Sequence, residues 1–196
     1  MRLFSTILIT TAALALAGAA SAQTRDGFFI GGGLGYGSGD ASTDGTREDL
    51  SQVGGLDSGR TGGLTFNLRL GKTLSPRLAL GAELNSWFHS EDAADLSVFN
   101  ATAAFYLYPY DAGIFVKGGL GVARAKFSFE GDDLSGLGFG AMLGLGYDYR
   151  IGDSMAVTPQ IAYWFGSPGD LSVEGIDLVN GFKHNVIEIG VGITLY

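Results

Sequence analysis

The side chains that could do chemistry in this chain are few, and their spacing argues against most of it. His89-Ser90-Glu91 sets a base, a hydroxyl and an acid side by side. Neighbours on an extended chain point to opposite faces, so the triplet cannot by itself bring a nucleophile, a base and an orienting group together. The other histidine, His184, stands far along the chain, and neither lies in a His-Glu-x-x-His pattern. Gly136-Leu137-Gly138-Phe139-Gly140-Ala141 fits a relaxed dinucleotide fingerprint by letters, but strand-like alternation runs on where that motif needs a helix to begin. Asn100-Ala101-Thr102 is a sequon inside another such segment. Cysteine is absent. These patterns assign no catalytic residue, no metal ligand and no cofactor, and imply no enzymatic activity.

Five charged residues form a different kind of set. Arg69, Glu83, Lys117, Asp148 and Glu188 each stand inside an alternating segment, and each falls on the face that is not apolar. Charges held away from water are costly unless paired and hydrogen-bonded, so these five are expected to form a structural ion network. Counting across the expected hairpins puts Lys117 opposite Asp148 around a loop near Asp132. It puts Glu83 opposite Asn67, and diagonal to Arg69, around a turn at Thr73 to Ser75. Glu188 enters from the last segment as a third acid.

The elements that must carry these residues are strands. The chain opens with Met1-Arg2, an apolar run to Gly18, and Ala20-Ser21-Ala22 before Gln23. That is the layout of a secretory signal peptide over 1–22, leaving 23–196 as one domain. Beyond it no apolar run is long enough for a transmembrane helix, so a membrane-spanning form must use strands. Eight segments alternate with a period of two, starting near Phe28, Leu64, Leu78, Leu96, Ile114, Leu137, Val157 and Ile187. Their apolar faces carry no Asp, Glu, Lys or Arg, and their other faces are mainly Gly, Thr, Asn and Ala, too poor in charge for a wetted surface. A lipid-facing band around a narrow, partly polar lumen explains both faces.

Composition agrees. A hydrophobic content of 46% with 16% charged residues is too apolar for disorder, and a net charge of −8 is the wrong sign for nucleic-acid binding. Aromatic residues gather at segment ends, as two interfacial girdles require: Phe28, Tyr108, Tyr110, Tyr147, Tyr149 and Tyr196 at the inner rim; Tyr36, Trp87, Phe88, Phe127, Phe139, Trp164 and Phe165 at the outer. Tight turns are expected at 71–77, 109–113 and 151–154, and long external links at 38–60 and 166–182. Most of the 20 acidic residues fall in the expected external links, among them Asp40, Glu91, Asp95, Asp132, Asp133, Asp170 and Asp177. A solvated crown is the plain reading, and divalent-cation bridging to lipopolysaccharide is the sharper one.

The signal, Gly27-Phe28-Phe29-Ile30-Gly31-Gly32-Gly33-Leu34-Gly35-Tyr36, Phe115-Val116-Lys117-Gly118-Gly119-Leu120-Gly121 and an aromatic-ended last strand from Val186 to Tyr196 together resemble the small eight-stranded outer-membrane barrels of OmpA/OmpX type. Two departures stand out: Tyr196 is out of phase with the apolar face of its strand, and Pro159 sits inside a strand. The resemblance implies an all-β, antiparallel up-and-down transmembrane barrel in the bacterial outer membrane. It also implies outer-membrane lipid and lipopolysaccharide as partners, the β-barrel assembly machinery during insertion, a possible extracellular ligand, no nucleic acid and a monomer. The expected role is structural or surface-interacting. A small transport barrel and a lipid-modifying enzyme are the alternatives.

Overall fold

The computed structural model describes residues 26–42, 61–91, 94–110, 112–129, 132–173 and 176–196. The expected signal at 1–22 and the loop acids Asp44, Glu48, Asp49, Asp57, Asp92, Glu130 and Glu174 lie outside these residues. Alternation of apolar and small or polar residues gives strands throughout: β1 Phe28–Ser42, β2 Thr61–Ser75, β3 Leu78–Glu91, β4 Ala94–Leu107, β5 Ile114–Phe129, β6 Asp132–Tyr147, β7 Tyr149–Ile151, β8 Met155–Val173 and β9 Ile176–Leu195. All pairings are antiparallel. The order β6-β5-β4-β3-β2-β1-β9-β8-β7, with a further β6–β8 pairing, closes the sheet into a barrel of eight long strands. The three-residue β7 continues β6 after a break at Asp148. Closure gives each of the eight long strands a partner on both sides among the described residues, which is what a hydrocarbon environment demands of a sheet.

The break has a cause in the neighbouring strand. Continuing the register Gly146↔Gln160 and Tyr149↔Val157 places Pro159 across from Tyr147, and a proline has no N–H to give to the ladder. The effect of Pro159 on the ladder therefore appears in its partner strand.

The strands run further outward than their composition suggested. Segment 166–182 is not a long loop, because β8 and β9 extend to Val173 and from Ile176. Asp40, Glu91, Asp95, Asp132, Asp133, Asp170 and Asp177 thus stand on strand extensions. Hydrogen-bonded hairpins continue past the membrane because their side chains can be charged once water surrounds them. Polarity marks where the lipid ends and is a poor marker of where pairing ends.

Side-chain phase sorts the residues. Phe28, Ile30, Leu34, Tyr36, Leu68, Leu70, Leu120, Leu143, Ile189 and Val191 point outward and are exposed, and 31 large hydrophobics share that state among the described residues. So large an apolar exterior is untenable in water and apt in lipid. Five expected girdle members are exceptions: Trp87, Tyr108, Phe127 and Trp164 point inward and are buried, and Tyr196 points inward half-buried. They fill the lumen instead.

The inward face of β1 has almost no side chains. A Cβ at Gly35 would stand 2.5 Å from the Ile189 carbonyl oxygen and 2.7 Å from Thr65 Oγ1, and one at Gly31 would stand 2.9 Å from Arg69 Nε. These glycines let side chains of β2 lie flat across β1, so that a narrow barrel can hold a full-length arginine.

Candidate functional site in the barrel lumen

The lumen is layered. Toward the inner rim, Phe29, Tyr106, Tyr108 and Phe115 surround Arg69 and Asp148; in mid-barrel stand Glu83, Lys117, Gln160 and Glu188; above them come Asn67, Asn85, Asn100 and His184; and the outer end is packed by Trp87, Leu96, Val98, Phe127, Trp164, Phe182 and Val186. Each polar member reaches its place by falling on the inward parity of its strand.

The lowest layer is built on one ion pair. Arg69 Nη2 donates to Asp148 Oδ1 at 3.4 Å, to Thr158 Oγ1 at 2.8 Å and to the hydroxyl of Thr194. Thr158 in turn donates to Asp148 Oδ1 at 2.7 Å. The other carboxylate oxygen accepts from the Tyr108 hydroxyl at 2.9 Å and from the Tyr196 hydroxyl. The guanidinium also lies 5.4 Å from the Phe115 ring centroid and 5.9 Å from that of Tyr106, within cation–π range. Tyr196 is out of phase because its phenol is committed to this cluster.

The second layer is centred on Lys117, whose ammonium donates to Glu83 Oε1 and, at 3.1 Å, to Gln160 Oε1. Glu83 Oε2 accepts from Tyr106 at 2.7 Å, and Gln160 Nε2 donates to Glu188 Oε1 at 3.2 Å. Tyr106 therefore links the layers, giving its hydroxyl to the upper pair and its ring face to Arg69. Lys117 and both acids are fully buried. In so dry a place the Lys117–Glu83 pair is tolerable only with these partners, whereas Glu188 has Gln160 on Oε1 and, among the described residues, no hydrogen-bond partner on Oε2. Higher up, Asn100 Nδ2 donates to the Phe165 carbonyl at 2.7 Å, and its Oδ1 meets His184 Nε2 at 3.1 Å.

All five charged residues expected to share the lumen lie in it, but two expected pairings are wrong. Lys117 stands opposite Gly144, not Asp148, because the β5–β6 register pairs Phe129 with Asp132. Glu83 stands directly opposite Arg69, not Asn67, because the β2–β3 turn is at Pro76-Arg77 with an irregularity between Thr73 and Ser75. The charges sort instead across strands that are distant in sequence: Arg69 with Asp148 and Lys117 with Glu83. Gln160, Tyr106, Tyr108, Thr158, Thr194 and Tyr196 also belong to the network. Their signal was parity alone, since each is a polar group in phase with the inward face.

Among the described residues no group of three or more His, Cys, Asp or Glu side chains could hold a metal ion.

A family of known proteins decides the identity of the fold. The family described as outer membrane protein beta-barrel domain matches residues 6–194. The chain belongs to that family. As an outer membrane protein beta-barrel it resides in the bacterial outer membrane, with its apolar exterior in lipid. No curated protein sequence matches it. Among solved structures it is similar to the Neisserial surface protein A at 15% identity, covering 88% of this chain and 99% of that one with a TM-score of 0.56. It is also similar to Ail, the attachment invasion locus protein of Yersinia pestis, at 16% identity, covering 86% and 99% with a TM-score of 0.54. At such identities the likeness carries the barrel fold.

Proposed function

We propose that this outer-membrane barrel acts as a structural and surface-interacting element, without catalysis and without a through-lumen transport path. The observation that carries the reading is the filled lumen, in which paired charges and tyrosines, then asparagines and His184, then tryptophans and other apolar side chains follow one another from inner rim to outer end. Eight strands leave room for side chains and little else. A barrel filled in this way meets its surroundings through its outer end and its lipid-facing wall. Two similar structures are of proteins named for surface display and attachment, and Ail was also solved with the heparin analogue sucrose octasulfate. Lipopolysaccharide, an extracellular ligand, and the assembly machinery during insertion are the partners this role implies, with a monomer exported behind a leader spanning 1–22. Cells lacking the gene are expected to take up small solutes at the wild-type rate while losing attachment to surfaces or envelope integrity. Altered uptake with unchanged surface behaviour would favour the transport alternative.

A further inference from the structure

The outward face of β5 changes character abruptly. From Ile114 through Val116, Gly118 and Leu120 to Val122 it is apolar, and then come Arg124, Lys126 and Ser128. The neighbouring strands show where this falls in the membrane. Lys126 is level with Ser97 on β4 and Ser135 on β6, a rung of polar residues. One rung inward, Arg124 is level with Phe99 and Leu137, and the next rung holds Val122, Ala101 and Phe139. Arg124 is thus the first outward-facing residue on the lipid side of the polar boundary.

Its guanidinium is exposed and, among the described residues, has no ion-pair or hydrogen-bond partner. A permanently charged group at the edge of a hydrocarbon layer needs an anion; the protein's own carboxylate in the adjoining recess, Asp170, is bonded to the Gly181 N–H, and the other anions at that depth belong to lipids. The wall is also indented there. Arg124, Ser135, Gly136, Leu137 and Asp170 line a recess of about 400 Å³. It lies where the β6–β8 register shifts between Ser135↔Ser172 and Phe139↔Ser167, beside Pro168 and Gly169, the latter at φ 80°. On the far side, Asp170 Oδ1 accepts the backbone N–H of Gly181 at 2.9 Å.

We propose that Arg124 and this recess bind the phosphate of a membrane lipid, seating one phosphorylated headgroup against the β5–β6–β8 seam with its acyl chains along Leu137 and Phe139. A guanidinium offers two parallel N–H donors to phosphate oxygens, and the recess admits the headgroup beside it. The carboxylate of Asp170 across the recess makes a singly charged phosphodiester a better fit than a doubly charged phosphate. This site differs from cation bridging by acidic side chains, because it needs no metal.

The test is native mass spectrometry of the folded full-length barrel in non-ionic detergent, with phosphatidylglycerol, with diacylglycerol lacking the phosphate, and with inorganic phosphate as competitor. One phosphatidylglycerol should be retained, diacylglycerol should not, and millimolar phosphate should fail to displace the lipid. Arg124→Gln should weaken retention about tenfold. Arg124→Lys, which keeps the charge but not the paired donors, should retain more lipid than Arg124→Gln and less than the wild type, and Arg77→Gln, in the turn at the opposite rim, should change nothing. The proposal is overturned by unchanged retention in a folded Arg124→Gln barrel, by equal retention of diacylglycerol, by complete loss in a folded Arg124→Lys barrel, or by displacement with free phosphate, which would mark an anion site indifferent to lipid.

Discussion

Replacing Lys117 with methionine is expected to destabilise the folded barrel by about 3–5 kcal/mol, because it leaves the carboxylate of Glu83 buried without its countercharge. Glu83 and Lys117 are both fully buried, so water cannot enter to replace the lost partner without disturbing the layers on either side. Urea unfolding in detergent micelles, followed by the mobility difference between unheated and heated protein on a gel, reads the loss directly. The double variant Glu83→Gln/Lys117→Met should recover most of it, since removing both charges also removes the desolvation cost of the pair. Additive losses would mean that the two side chains are not partners. The alternative partner for Lys117, Asp148, is engaged by Arg69, Thr158, Tyr108 and Tyr196. Asp148→Asn should therefore weaken the barrel independently of the state of Lys117.

The second large effect lies on the outer wall. Leu143 is 59% exposed on β6, level with Gly118 on β5 and Tyr163 on β8, well inside the apolar band. Leu143→Arg should cost about 2–4 kcal/mol of folding free energy in a lipid bilayer, where a cation near the midplane is poorly solvated. The same substitution at Asp153, in the exposed turn after β7, should cost almost nothing. Equal costs at the two positions would contradict a lipid-facing wall.

The parts of this structure legible in the sequence were those that depend on local parity. A period of two decides which way Leu143 or Glu188 points, whatever the rest of the chain does. Register was harder, because it depends on where each hairpin turns. A turn at Pro76-Arg77 instead of Thr73 to Ser75 moves Glu83 from Asn67 to Arg69, and a register that pairs Phe129 with Asp132 moves Lys117 four places from Asp148. The partnerships Arg69–Asp148 and Lys117–Glu83 depend on the curvature of a closed sheet, which brings together inward side chains that no hairpin pairs. Strand ends are not legible in charge, because β8 carries Asp170 and β9 carries Asp177 within paired strands. Tyr196 is the reverse case. Its wrong phase was visible in the sequence, and its bond to Asp148 gives the reason.

Single-channel recording on the protein reconstituted in a planar bilayer tests the filled lumen most directly. With Arg69, Glu83, Lys117, Asp148 and Glu188 held in two hydrogen-bonded layers under a cap of tryptophan and phenylalanine, the expected record is a flat baseline without reproducible conductance steps. Steady, uniform steps from the wild-type barrel would contradict it.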